Sequence, residues 1–388
     1  DEPAIEFAEA DNESRYRYCT ECMVTGEDIN RRKLREALSE LGDSLVLAGT
    51  KRKAKIHVHV DNPDEVFEIA ARFGELSGTK ADDMHRQQHS TQGSHRQFAV
   101  ITDSVADIPE DDIERLDIHL VPARIQFGEH GYLDKVSITI EEVYEKILAG
   151  ETYPTTSQPS PGDFRRQFQF LASHFDHVIS INLTSEGSGT FQAAELAASR
   201  INASGTVHVV DSKSASLGQG QLVVLAAECA HAGLDAARTL DVIGKRIPRT
   251  RCFALLSDLR FAVRGGRLPA WVKVLADLLR MSPIICTTSD GRISLSGFLF
   301  GKRNLINRFA RHVARRAPAA TVEVGIGHAV NPDGASKLEQ AVRQQFSDVG
   351  KLTVTELGPG LGVHGGPGTL LIATGPYWSA QDVAHGID

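Results

Sequence analysis

The sequence predicts an α/β protein with a small N-terminal domain followed by two larger lobes, and three observations support this. Short apolar segments alternate with segments of helical period along most of the chain. Some of them, such as FAVITD at 98–103, are apolar almost throughout, which is typical of parallel strands buried on both faces. The chain of 388 residues is also long enough for two or three domains.

Composition limits the classes of function. The net charge of −8 argues against a nucleic-acid partner, because binding to phosphate backbones needs concentrated Lys and Arg. No apolar stretch reaches the length of a membrane span, and no signal peptide opens the chain. The five cysteines are scattered, so we expect no disulfide framework and predict a cytoplasmic location. Because the chain begins at Asp1 without a methionine, we expect an N-terminal neighbour to be missing.

A short basic run, RFARHVARRA at 308–317, stands out in this acidic chain. The simplest interpretation is the solvated face of one helix. Contact with an acidic partner or a membrane surface is the alternative, as in amphipathic surface helices.

The N-terminal part divides into a frayed terminus at 1–14, which is acidic and without pattern, and a compact α/β domain at 15–95. Apolar alternation and helical period predict its elements in this order: strand 16–24, helix 31–42, strands 43–50 and 54–60, and helix 63–74. The polar stretch at 80–97 loses periodicity, so we predict a linker there.

This domain contains candidate metal ligands. His57 and His59 stand two apart on a predicted strand, so both point to one face, and Cys19 on a neighbouring strand completes a three-ligand set for zinc. Cys22 has the opposite parity to Cys19 and is expected to face away. An ordinary surface His pair is the alternative. For a fourth ligand the sequence leaves open water, His89 and Asp61.

The first large lobe is predicted at 96–250 and the second at 251–388. The predicted strands of the first lobe are 98–107, 119–127, 177–183 and 207–212, with helices between them, so we expect its sheet to be mainly parallel. Ligands in such sheets bind beyond the carboxyl ends of the strands. Polar residues stand at these positions: Asp103, Ser104, Thr184, Ser185, Asp211 and Ser212. The predicted strands of the second lobe are 252–259, 282–288, 292–300, 321–329 and 368–375.

Three loops carry candidate binding residues. In YPTTSQPSPGDF, at 153–164, prolines fix the backbone and hold three small hydroxyls in place. The alternative is a turn followed by a helix that Ser160 or Asp163 caps. In NLTSEGSGT, at 182–190, a helix N-terminus and the hydroxyls of Ser185, Ser188 and Thr190 favour an anion. No lysine follows the glycines, so this is no P-loop.

The third loop, LGPGLGVHGGPG at 357–368, places His364 among glycines and prolines that let backbone approach a ligand closely. A lone histidine is more often a structural hydrogen-bonding group than a catalyst, and no cysteine or carboxylate pair lies beside it. Arg267, in VRGGRLP, is a candidate of the same kind, equally consistent with a turn.

Six segments in one order resemble the DegV family of fatty-acid-binding proteins over about residues 97–378. They are VITDSVADIP, TTSQPSPGDF, NLTSEGSGTFQAA, VVDSKSASLGQG, LLSDLRFAVRGGRL and GPGLGVHGGPG. The resemblance implies two α/β lobes that enclose an acyl chain. It also implies that the carboxylate is held by Thr156, Ser157, Ser185 and His364, with Arg267 as a further candidate. Gly187 and Gly365 depart from the family pattern, which leaves the width of the pocket open.

Residues of about 15–95 resemble the middle domain of the fatty acid kinase that partners DegV proteins, itself related to dihydroxyacetone kinases. The segments that carry this resemblance are YCTECMV, LGDSLVLAG, KIHVHVDNPDEV and DDMHRQQH. In that family a kinase domain that binds ATP and magnesium precedes this unit, and the present chain does not include it. The resemblance strengthens the prediction of zinc at Cys19, His57 and His59.

Together these resemblances predict the carrier unit of a fatty acid kinase system. The chain is expected to hold a long-chain fatty acid and to present its carboxylate to an ATP-binding kinase domain, in cis or in trans, without being catalytic alone. Homodimerisation and transient contact with a membrane surface are further expectations. Two alternatives stay open: a zinc-dependent hydrolase with Asp61 or Asp43 as general base, and a lipid-sensing module.

Overall fold

The computed structural model describes residues 15–91, 96–203, 205–266, 281–318 and 320–386, and the single residues 269, 271, 273, 274 and 278. The predicted frayed terminus at 1–14 lies outside the described residues. The chain divides into two compact units, one up to residue 93 and one from residue 94. Each unit is described by itself.

The first unit contains an antiparallel sheet with strand order β2-β3-β1-β4. Its strands are β1 (Tyr18–Thr25), β2 (Asp43–Gly49), β3 (Lys53–Val60) and β4 (Glu75–Asp83). Its helices are α1 (Arg31–Leu38), α2 (Pro63–Ala71) and α3 (Met84–Thr91). Alternate residues of the central strands are buried on one face, Cys22 and Val24 on β1 and Ile56 and Val58 on β3. The opposite face of these two strands is half-buried or exposed and carries mainly polar residues.

The predicted linker at 80–97 is wrong for its first part, which holds the end of β4 and the whole of α3. The β4 strand lies at the edge of the sheet and has no buried residue, so its sequence lacks the apolar alternation of an inner strand. Asp83 then marks the start of α3, because its Oδ1 accepts a hydrogen bond from the backbone N–H of Arg86 at 3.0 Å.

The second unit begins with a parallel sheet of order β11-β10-β5-β6, which confirms the predicted parallel sheet. Its strands are β5 (Phe98–Asp103), β6 (His119–Val121), β10 (His177–Asn182) and β11 (Thr206–Asp211). Two helices, α6 (Pro161–His174) and α7 (Thr190–Ala198), pack on one face around Phe164 and Phe168. Two others, α8 (Ser216–His231) and α9 (Ala236–Arg246), pack on the other face around Leu222 and Ile243. Burial on both faces explains the nearly continuous apolar character of β5 and β10.

The helices of this unit in chain order are α4 (Glu110–Arg115), α5 (Ile140–Leu148), α6 (Pro161–His174), α7 (Thr190–Ala198), α8 (Ser216–His231), α9 (Ala236–Arg246), α10 (Leu259–Arg264), α11 (Leu305–Ala314), α12 (Pro332–Gln345), α13 (Pro359–Gly365) and α14 (Ala380–His385). A 3-10 turn, Ile247–Arg249, follows α9. Nowhere in the described ranges is a helix long and apolar enough to cross a membrane.

The second lobe is built on a mixed sheet of order β14-β13-β12-β17-β15-β16, in which only β15 and β16 pair in parallel. Its strands are β12 (Arg251–Leu255), β13 (Met281–Thr287), β14 (Ile293–Phe300), β15 (Val322–His328), β16 (Val349–Glu356) and β17 (Leu370–Pro376). The sequence predicts all of these except β16. That strand lies at the sheet edge and, like β4, has no fully buried residue.

A small antiparallel sheet joins the two lobes of the second unit. It has the order β8-β7-β9, with β7 (Arg124–Phe127), β8 (His130–Leu133) and β9 (Thr155–Ser157). The predicted single strand at 119–127 is wrong: it is divided into β6 and β7 around Pro122, which has no N–H to donate to a sheet. Ile125 and Phe127 of β7 pack into one core with Val363 of α13 and Leu371 of β17. This packing brings β9 against α13.

Candidate functional site

A cavity of about 350 Å³ lies between the parallel sheet and the mixed sheet of the second unit. Most of its wall is apolar and comes from both lobes, including Leu183, Leu256, Ile285, Leu357, Leu361 and Leu371. Small residues such as Ala254 and Ala262 keep the space open. A cavity of this lining suits a long apolar ligand.

Polar groups gather on one part of the wall. Thr156 on β9 and His364 on α13 lie within hydrogen-bond distance, with 2.8 Å between Thr156 Oγ1 and His364 Nε2. Ser157, Gln158 and Ser188 line the same cavity. Hydroxyl, amide and imidazole groups of this kind can donate hydrogen bonds to a carboxylate oxygen without bringing a full positive charge.

The loop that carries Thr156 and Ser157 is held at both ends. Before it, the Tyr153 hydroxyl donates to the carbonyl of Val363 at 2.8 Å. After it, Ser160 and Asp163 form a reciprocal capping box at the start of α6. Burial alone raises the pKa of Asp163, but Arg124 and the Ser160 hydrogen bonds outweigh it and keep the pKa low. The helix cap and the hydroxyl site are therefore both present in this loop.

Helix α13, which carries His364, is fixed at its N-terminus by buried carboxylates. Asp107 Oδ1 accepts from the backbone N–H of Gly358 at 2.9 Å, and Asp134 Oδ1 accepts from Gly360 at 2.9 Å. Ser104 Oγ donates to the other oxygen of Asp134 at 2.5 Å. Burial raises the pKa of Asp134 to about 6. These groups hold the helix that carries the His364 imidazole, and they do not line the cavity.

Two carboxylates at the strand ends of the parallel sheet also bind protein N–H groups. Asp103 is fully buried and accepts from the backbone N–H of Leu183 at 2.8 Å and from Gln219 Nε2 at 3.0 Å. Asp211 accepts from the backbone N–H groups of Ser185 and Lys213, at 3.2 and 3.0 Å. Polar residues at the carboxyl ends of the parallel strands thus indicate where the site lies. The Asp103 and Asp211 carboxylates themselves hold the surrounding backbone.

The structure brings together Thr156, Ser157 and His364 on the cavity wall. Ser185 is not among the described residues that line the cavity; its Oγ accepts a hydrogen bond from Lys213 Nζ at 3.2 Å. Ser188, three residues later, lines the cavity instead. Ser188 Oγ lies 2.8 Å from Thr190 Oγ1. Arg267 lies outside the described residues.

Gln158 is a polar lining residue that sequence reasoning missed. The sequence contained a signal for it, because Gln158 directly follows the predicted hydroxyls and stands before Pro159, in the same stiffened loop.

The first unit contains a separate cluster of candidate metal ligands. The β1·β3 register places Cys19 opposite His59, and Glu21 opposite His57. The ligand atoms of Cys19, His57 and His59 all lie within 4.8 Å of one another, and Cys19 Sγ is 3.7 Å from His57 Nδ1. One thiol and two imidazoles form a donor set that zinc prefers, so these residues fit the metal.

Carboxylates flank this cluster. Glu21 Oε1 lies 3.2 Å from His57 Nδ1, and Asp43 Oδ1 lies 3.5 Å from His59 Nδ1. Hydrogen bonds to Cys19 and Glu21 raise the pKa of His57 to about 9, whereas burial and the neighbouring His57 lower the pKa of His59. Asp61 accepts from the backbone N–H of Arg17 at 3.0 Å and does not belong to the cluster.

Comparison with known proteins gives two family matches. Residues 97–375 match the family described as an uncharacterised protein of the DegV family. Residues 15–91 match the FakA-like family, described as a middle domain of fatty acid kinase. A DegV domain-containing protein of Caldanaerobacter subterraneus is 33% identical over 271 residues, which cover 70% of this chain and 95% of the relative.

Solved structures agree with the DegV match. A fatty-acid-binding DegV family protein from Thermus thermophilus superposes with a TM-score of 0.67 at 30% identity, covering 72% of this chain and all of the other. DegV from Bacillus subtilis, described as a fatty acid binding protein, gives a TM-score of 0.65 at 27% identity, covering 73% of this chain and all of the other.

Proposed function

Since this chain belongs to the DegV family, we propose that it is the fatty-acid-binding carrier unit of a fatty acid kinase system. The observation that carries the proposal is the cavity itself, apolar over most of its wall and lined at one part by Thr156, Ser157 and His364. The similar structures from T. thermophilus and B. subtilis are both described as fatty-acid-binding.

The energetics suit a carrier. Burial of each methylene is worth about 0.8 kcal/mol, so a long acyl chain contributes roughly 10 kcal/mol before the cost of ordering it. The polar groups then need only to orient the head. Neutral donors do this without a fixed ion pair, which leaves the carboxylate able to react.

The N-terminal domain supports a role in a kinase system, because it matches a middle domain of fatty acid kinase. We propose that the bound fatty acid is phosphorylated on its carboxylate by an ATP-binding domain outside this chain, with ATP and magnesium on that domain. In this scheme Thr156 and His364 bind the carboxylate and hold the head group in one orientation for the kinase. This chain supplies binding and orientation.

Replacement of Thr156 by valine, or of His364 by alanine, is expected to raise the dissociation constant for palmitate about tenfold or more. Each change removes a hydrogen bond to a charged group, typically worth about 1.5–3 kcal/mol. Isothermal titration with palmitate measures the effect. Thr155→Val is the matched control, because Thr155 is exposed and does not line the cavity. Unchanged affinity in both site variants contradicts the assigned head-group position.

We further propose that Cys19, His57 and His59 bind zinc and make the first unit a zinc-type domain. Zinc here would serve as a structural centre that holds β1 to β3. A Cys19→Ser, His57→Ala double variant is expected to lose bound zinc in elemental analysis, while Cys286→Ser, in the other unit, keeps it. Equal zinc in all three proteins contradicts this part of the proposal. The hydrolase alternative is not favoured, because the matching family belongs to a kinase system.

Cytoplasmic location and transient membrane contact complete the proposal. All five cysteines carry free thiols, as expected in a reducing compartment. Residues 291–322 contain seven Lys and Arg and no Asp or Glu, which favours contact with an anionic lipid surface. Within this stretch Arg303, Arg311 and Arg315 are exposed. Homodimerisation stays a prediction.

A further inference from the structure

Gln158 occupies a distinctive place in the cavity wall. It follows β9 directly, is solvent-exposed and lines the cavity together with Ser157 and Gly189. Its carboxamide lies against Gly189, at the N-terminus of α7. A Cβ atom added to Gly189 would stand 2.6 Å from Gln158 Nε2 and 3.0 Å from its Oε1.

The N–H groups of the Gln158 carboxamide are not used in hydrogen bonds to the described part of the protein. Throughout the part of the chain that the structure describes, no protein group forms a hydrogen bond with this carboxamide. Gln219 differs, because its buried carboxamide donates to Thr102 and Asp103. An uncommitted N–H₂ group on a cavity wall can be transferred from water to a ligand without the loss of a protein hydrogen bond.

The absence of a side chain at Gly189 gives the Gln158 carboxamide its place. The φ of −80° at Gly189 is ordinary for any residue, so backbone conformation does not require glycine here. A larger side chain would meet the far end of the flexible Gln158 side chain, which would have to move aside. The glycine at 189 thus leaves room for the Gln158 carboxamide between the end of β9 and the start of α7.

We propose that Gln158 is a further head-group residue that selects carboxylates over neutral lipid heads. Thr156 and His364 bind one carboxylate oxygen. Gln158 Nε2 donates a hydrogen bond to the second oxygen, on the solvent side of the cavity. A neutral head such as an alcohol offers a single oxygen and gains little from this second donor. This inference rests on the proposed function, because it assumes that a fatty acid enters the cavity.

The experiment compares dissociation constants for palmitate and for 1-hexadecanol, which share a chain length and differ in the head. Gln158→Ala is expected to weaken palmitate binding about tenfold and hexadecanol binding less than twofold. Gln158→Glu places a carboxylate opposite the ligand carboxylate and is expected to weaken palmitate binding further. Gln192→Ala is the matched control, because Gln192 is an exposed glutamine on α7 that does not line the cavity.

A second route tests the same idea without changing Gln158. Gly189→Ala displaces the carboxamide and is expected to reproduce the tenfold loss for palmitate alone. Combined with Gln158→Ala it is expected to add nothing, as for two changes that remove one interaction. Unfolding temperatures of all variants show whether each one folds.

Three results overturn the inference. Wild-type affinity for palmitate in Gln158→Ala and Gln158→Glu shows that the carboxamide does not touch the head. Equal losses for palmitate and hexadecanol show a structural role only. A wild-type protein that binds hexadecanol but no palmitate, or neither ligand, overturns the proposed function itself and with it the role of Gln158.

Discussion

A phenylalanine in place of Ala254 is expected to weaken palmitate binding by about fiftyfold or more. Ala254 lies in β12, opposite Leu371 of β17 and Ile285 of β13, and all three side chains line the cavity. A ring at this position excludes several methylenes of the ligand. Loss of three methylenes from the apolar wall costs about 2.4 kcal/mol, which corresponds to this factor. Competition against a fluorescent fatty acid measures the change.

Two controls make this result specific. Ala48→Phe places the same ring on an exposed position of β2, in the other unit, and is expected to leave palmitate affinity unchanged. Octanoate, which needs less of the cavity, is expected to lose less affinity than palmitate in the Ala254→Phe variant. Wild-type affinity for palmitate in this variant contradicts the assignment of the cavity to the acyl chain.

Removal of the buried Glu323 carboxylate is expected to lower the free energy of unfolding by about 3–5 kcal/mol. Glu323 on β15 forms an ion pair with Arg246 on α9, whose side chain is 0% exposed. Glu323→Ala leaves this guanidinium buried without its partner, which costs more than the pair itself contributes. Because α9 belongs to the first lobe and β15 to the second, the pair also ties the lobes that form the cavity.

Urea unfolding followed by tryptophan fluorescence and circular dichroism tests this expectation. Glu339→Ala is the matched control, since Glu339 pairs with Arg343 at 2.7 Å on the surface and is expected to matter by less than about 1 kcal/mol. The double change Arg246→Met, Glu323→Leu is expected to recover most of the loss, because it removes both charges together. A Glu323→Ala protein as stable as Glu339→Ala contradicts the expected role of the buried pair.

Prediction of the fold from sequence succeeds for the inner strands and misses two of the edge strands, β4 and β16. The inner strands β5, β10 and β17 consist almost entirely of buried residues and are recognisable from apolar runs. The edge strands β4 and β16 have no buried residue and are interrupted by glycine and charged residues, so the sequence shows no apolar run there. The small sheet around β7 depends on pairing with β9, about thirty residues away, which no local pattern shows.

The candidate site shows the same division. Pairing of Cys19 with His57 and His59 follows from the two-residue period of strands, and the structure places all three on one face. The choice between Ser185 and Ser188 depends on tertiary structure, because both hydroxyls stand in one short loop. Only the packing of this loop against Gly291 and Lys213 shows which of the two lines the cavity.

The carboxylates at the strand ends illustrate what sequence alone cannot assign. Asp103 and Asp211 stand at strand ends of the parallel sheet, where ligand-binding groups are expected, yet each accepts hydrogen bonds from protein N–H groups. Whether a polar residue at a strand end binds ligand or backbone depends on the loop that arrives from elsewhere in the chain. For Asp103 that loop is the one that begins at Leu183.

Identification of the lipid that the purified protein carries tests the central claim most directly. Organic extraction of the wild-type chain, followed by mass spectrometry, is expected to release a long-chain fatty acid in near-equal amount to protein. A Thr156→Val, His364→Ala double variant is expected to release much less. A wild-type protein that yields no fatty acid, and that takes up none when palmitate is added, contradicts the carrier function.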